Sequence, residues 1–193
     1  LNTLQLRAVS TDFISGLKTD QIVALTSAQV GALSTDQIKN LTTDQVKAIQ
    51  SSDFAGLKSD QIRALTTDAI VKLTTDQIAG LTSSQLGSLK TDQLAKLTTD
   101  QVKAIEVRDL VGLSTDQIKT LSSDAIGKFT TDQIVGLSSG QIGALTSDQI
   151  RSLSSDQMKA IETRDIANLK TDQIAKLTTD QIGKLTTTQL GAM

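Results

Sequence analysis

The side chains that could do chemistry in this chain are aspartates, serines and threonines, and they recur at fixed places in an eight-residue unit. Histidine and cysteine are absent. That removes Ser-His and Cys-His nucleophiles and the ligand sets zinc requires. An acid/base pair of carboxylates needs two different environments, whereas these aspartates occupy equivalent ones. No Gly-rich loop follows a phosphate-binding pattern. An enzyme is therefore not expected. Calcium is the one cation to weigh, since aspartates on successive turns could offer oxygens. A calcium site wants about six to eight oxygens gathered in a tight loop, and one Asp per unit without EF-hand spacing does not supply them. No cofactor is expected, with Ca2+ as the alternative. Thr-Thr pairs in a flat array could face ice or mineral, and the hydroxyls could carry O-linked sugars. Capping of local helices explains them more simply.

The unit that positions these residues is an octad. From Leu1 the 193 residues divide into twenty-four consecutive octads without insertion or deletion, and Met193 begins another. The consensus is Leu-Thr-Thr-Asp-Gln-Ile-x-x, as in Leu41 to Ala48. Positions one and six are always apolar, and position three is Ser or Thr everywhere except Val107. Each octad reads as a helix start. The Ser or Thr at position two serves as N-cap and the Gln at position five as its capping-box partner. The flanking Leu and Ile form the hydrophobic staple, and Asp at position four sits where the helix dipole favours a carboxylate. Where Lys18, Lys58, Lys90 or Lys170 takes position two, the cap is expected to shift to the adjacent Ser or Thr. Glycine near the end of an octad is expected to stop the helix in the left-handed conformation.

Three folds compete. In one continuous helix, eight residues at about 100° each would make the apolar stripe drift by about 80° per octad. A coiled coil needs spacing near 3.5, and here the apolar spacing alternates five and three. A β-solenoid is the stronger rival, because Thr and Ile suit strands. Yet a five-residue step puts Leu and Ile on opposite strand faces, and Asp-Gln is poor strand material. The favoured fold is an all-α solenoid of very short helices, one per octad, with the β-solenoid as alternative. Helices this short cannot persist alone, so stability must come from stacking.

The deviations are periodic too. Ile49, Ile105 and Ile161 open octads with Asp at position five (Asp53, Asp109, Asp165), and Ala69 and Ala125 replace Gln at that position. Both sets repeat every 56 residues, so residues 1–193 form one array built from seven-octad blocks. Asp at position four is missing at Leu4, Ala28, Ser52, Ser84, Arg108, Gly140, Arg164 and Thr188, three or four octads apart. A turn of about 3.5 octads, or 28 residues, would align them along one side. Ala28, Ser52, Ser84, Arg108, Gly140 and Arg164 form the candidate contact stripe, and Arg108-Asp109 and Arg164-Asp165 are candidate local ion pairs at its edge.

Net charge is −2, and the only aromatics are Phe13, Phe54 and Phe129. Without a basic patch interleaved with aromatics, nucleic acid is not an expected partner. No apolar run has the length of a membrane span, so membrane insertion is not expected either. Leu1 already stands in register, which points to a segment of a longer protein.

Leu97-Thr98-Thr99-Asp100-Gln101-Val102 and Leu177-Thr178-Thr179-Asp180-Gln181-Ile182 carry a resemblance that runs through the whole chain. The octads resemble the LTTDQI-type octapeptide tandem repeats of very large bacterial secreted or cell-surface, adhesin-like proteins. That resemblance implies an extracellular stalk, filament or adhesin segment. The expected function is accordingly a non-enzymatic scaffold that sets length and stiffness. The alternative is an adhesive module that recognises a protein or a surface glycan through the stripe or the variable positions seven and eight. Self-association, or contact with neighbouring repeats of the same protein, is the remaining partner expectation.

Overall fold

In the computed structural model, which describes residues 1–193, every octad forms one short helical element and there are no strands. Twenty-three are α-helices of four to six residues, and the octad opened by Ile105 forms a 3-10 helix over Val107–Gly112. No helix is long and apolar enough to cross a membrane.

The octad Leu41 to Ala48 shows why each unit folds as it does. Thr42 is extended, with φ −68° and ψ 158°, and its hydroxyl accepts the Gln45 backbone N–H at 3.2 Å. The Gln45 side-chain carbonyl accepts the Thr42 N–H at 2.9 Å, which closes the capping box. After six helical residues, Ile49 turns extended and the next octad begins. Two extended residues between helices are enough to redirect the chain.

Two local expectations are corrected. Helices do not end in the left-handed conformation, since no residue, glycine included, has positive φ. Their last residues are right-handed or extended, and Asn40 and Asn168 add side-chain bonds to the Asp36 and Arg164 carbonyls at 2.8 and 3.0 Å. Nor does a lysine at position two move the cap. Lys18, Lys58, Lys90 and Lys170 are themselves the N-cap residues, without a side-chain capping bond. In three of these octads the following Asp substitutes: Asp20, Asp60 and Asp92 accept the N–H of Gln21, Gln61 and Gln93 at 2.9–3.0 Å. A carboxylate one residue before the orphan N–H reaches it when no hydroxyl is available.

The chain forms two compact units, Leu1–Lys96 and Leu97–Met193. Within each, helices pack against those three octads away. Thr43–Ala48 lies against Thr67–Lys72 in the first unit, and Ser155–Ala160 against Thr179–Lys184 in the second. Positions one and six supply the core, as Leu33, Ile38, Leu57 and Ile62 do in the first unit and Ile118, Leu121, Ile150 and Leu153 in the second. Each such side chain contributes about 1.5–3 kcal/mol by leaving water. Phe54 in the first unit and Phe129 in the second replace aliphatic core residues, whereas Phe13, at position five, is exposed.

Candidate functional site

Glutamine at position five is the residue on which the turns depend. It is polar and yet buried, from Gln37 to Gln93 in the first unit and from Gln133 to Gln189 in the second. Gln141 shows the arrangement. Its Oε1 accepts the Ser138 N–H at 2.8 Å within its own octad. Its Nε2 donates to the carbonyls of Leu110 and Leu113, each at 2.7 Å, 31 and 28 residues earlier. Gln77 repeats this in the first unit: Nε2 reaches the carbonyls of Val46 at 2.9 Å and Ile49 at 2.7 Å. These acceptors lie at the C-terminal ends of earlier helices, where carbonyls lack the regular i+4 donor; besides the glutamine amide, Val46 and Leu110 accept only the C-cap N–H of Ile49 and Leu113. One amide thus caps the start of its own helix and the end of another one turn away.

The 28-residue offset equals three and a half octads, so each helix packs on the one three octads back and bonds to the end of the one four back. No buried side-chain polar atom lacks a partner. The amide's second bond was not visible in the capping pattern. A signal was present all the same: a capping box accepts Glu or Gln at this place, yet position five is never Glu. A carboxylate could not donate.

All six residues of the candidate stripe are exposed. In the first unit the helix holding Ala28 (Ser27–Val30) packs on that holding Ser52 (Ser51–Phe54). Gln85, beside Ser84, bonds to the carbonyls of Ala55 and Leu57 just beyond the Ser52 helix. In the second unit Gln141, beside Gly140, bonds to Leu110 and Leu113, and the Gly140 helix (Ser139–Ala144) packs on that holding Arg164 (Thr163–Ile166). In each unit the three octads that carry the stripe therefore occupy successive turns.

Where Asp replaces the glutamine, the bonding inverts. Asp165 is 2% exposed, and its carboxylate accepts from the Ser139 hydroxyl one turn back. Asp53 accepts from Ser27 in the same way. The amide donor lost at Asp53 is restored by Gln50, whose Nε2 reaches the Val23 carbonyl at 3.1 Å. Arg108 and Arg164 do meet the neighbouring aspartates, at 3.5 and 3.6 Å, but lie closer to Glu106 and Glu162, at 2.7 and 2.6 Å. The arginines are largely exposed, so these pairs contribute little to stability.

For cation binding, the aspartates point to separate tasks. Asp20, Asp60 and Asp92 accept backbone N–H groups, Asp172 accepts from Ser147 at 3.0 Å, and Asp116 pairs with Lys119 at 3.1 Å. They do not gather into a group of three that could surround a metal ion.

Helices of one octad each, linked turn to turn by side-chain amides, define a helical-solenoid tandem-repeat protein. The family model described as the ALTTAQ repeat matches residues 23–48, 46–83, 102–139, 134–160 and 158–193, which together make up most of the chain. The chain belongs to that family. No curated protein matches it.

Proposed function

We propose that this chain is a non-enzymatic structural scaffold, a stalk or spacer segment of an extracellular bacterial surface protein, able to extend into filamentous assemblies. The observation that carries the reading is the double use of glutamine. The recurring polar group is consumed in holding one turn to the next, as in Gln77 and Gln141. The Ser and Thr hydroxyls cap helices, and most repeated aspartates sit in first helical turns, where the dipole favours them. A repeat whose polar groups serve its own continuation fits the task of setting length. The extracellular bacterial setting rests on the resemblance of the octads to surface-protein repeats.

Arrays shortened or lengthened by whole 56-residue blocks test the mechanical part by small-angle scattering. The maximum dimension should change in proportion to the number of octads; a cube-root dependence would contradict a spacer. Antibodies against the array should label intact, unpermeabilised cells that produce the parent protein. Labelling that requires permeabilisation would remove the extracellular setting.

A second reading, local adhesion, is favoured by one observation. Val107, Val111 and Val135 are exposed, Val111 at 69%, and the Val107 side chain packs against Gly136 next to Val135. Val107 and Val135 thus form a small exposed apolar patch beside Arg108, and Val111 is a third exposed valine in the Val107 octad. Replacing Val107, Val111 and Val135 with Thr, Lys and Lys should abolish adhesion to a protein-coated surface if the patch makes that contact. Unchanged adhesion would leave the scaffold reading alone.

A further inference from the structure

Two surface clefts in the first unit repeat each other at an offset of 32 residues. One, of about 330 Å3, is lined by Lys39, the segment 64–67, Lys90, Asp92 and Gln93. The other, of about 180 Å3, is lined by Arg7, the segment 32–35, Lys58, Asp60 and Gln61. Each holds two cations against one carboxylate, and all four cations are exposed.

These lysines sit where the repeat asks for Ser or Thr. Lys58 and Lys90 forgo the side-chain capping bond that Thr42 or Thr74 makes. Local stability does not explain such a choice, and departures from a local rule mark functional positions. The aspartate in each cleft is already committed: Asp60 and Asp92 turn back to the N–H of Gln61 and Gln93, and neither forms an ion pair with its lysine. The placement also follows a rule in the sequence. Each position-two lysine with a residue 51 positions before it finds a base there: Arg7 for Lys58, Lys39 for Lys90 and Lys119 for Lys170. Across the first two pairs lies a Ser/Thr-Thr step, Ser34-Thr35 or Thr66-Thr67. The Ser34 and Thr66 oxygens accept capping N–H groups, which leaves their own O–H free to donate.

We propose that these clefts bind a linear anionic polysaccharide, one sulfate or carboxylate between each pair of cations and sugar hydroxyls against the Ser/Thr step. One cleft with a single surplus positive charge holds a lone anion weakly. Two clefts on one rigid unit gain avidity for a polymer that spans both. Nucleic acid is disfavoured because no aromatic side chain lines either cleft for bases to stack on.

The test uses the full chain and a size-fractionated heparin oligosaccharide, with binding followed by calorimetry and folding by thermal melting. Lys58→Thr together with Lys90→Thr restores two caps, so the melting temperature should hold or rise while affinity falls by about tenfold. Opposite signs on stability and binding are what a merely structural role for these lysines would not give. Unchanged affinity overturns the proposal. So does an equal loss from Lys47→Gln with Lys72→Gln, which removes the same charge outside the clefts. Binding of inorganic sulfate, neutral dextran or a single-stranded oligonucleotide as tightly as the heparin oligosaccharide overturns it as well.

Discussion

The Ser139 hydroxyl donates to the buried carboxylate of Asp165, 26 residues further along the chain and one turn away. Ser27 and Asp53 make the same bond two 56-residue blocks earlier. In both pairs the serine's octad is one that lacks Asp at position four, where Ala28 or Gly140 stands instead. An aspartate there would set a second carboxylate beside the buried one. Ala28 and Gly140 in the stripe thus have a physical cause: an octad whose serine meets an aspartate on the next turn drops its own.

Ala28→Asp should therefore destabilise the fold relative to the neutral Ala28→Asn by about 0.5–1 kcal/mol, with the gap closing at high salt. Urea denaturation of both variants at low and high ionic strength checks this. A gap that ignores salt would count against charge repulsion.

Gln141→Glu keeps the capping acceptor but turns a carboxylate toward the Leu110 and Leu113 carbonyls. The loss of two donated bonds in a site 3% exposed should cost about 2–4 kcal/mol. Gln5→Glu is the control. Gln5 is exposed and bonds within its own capping box, so a change within about 0.5 kcal/mol is expected. Chemical denaturation reads both.

Asp20 caps in place of the hydroxyl that Lys18 cannot offer. Asp20→Ala should cost about 1 kcal/mol, and Asp44→Ala, where Thr42 already caps, only about 0.3–0.5 kcal/mol. If Lys18→Thr is introduced first, the penalty at Asp20 should fall to that of Asp44, which a double-mutant cycle measures.

Glycines at position seven divide by what lies opposite. A Cβ on Gly127 would stand 2.9 Å from the Ser152 carbonyl oxygen on the next turn, so Gly127→Ala should destabilise by about 1–3 kcal/mol. A Cβ on Gly183 meets nothing within 4 Å, and Gly183→Ala should stabilise by about 0.5–1 kcal/mol. Thermal melting of the two single variants gives the sign of each.

The octad, its helix and the burial of positions one and six were legible in the residues, because caps, staples and dipole effects act within four residues of chain. The turn of about 3.5 octads was legible as well, since the missing aspartates at Ala28, Ser52 and Ser84 register which octads meet. Only the tertiary structure decided what the glutamine does with its second hand. The Nε2 of Gln77 finds the Val46 and Ile49 carbonyls only when turns stack in one register, and no local pattern contains that geometry. The same holds for Gly127, which is a glycine because a neighbouring backbone passes close by. Its φ is ordinary. Local sequence set what each octad becomes; the stacking of turns set which atoms those octads bring together.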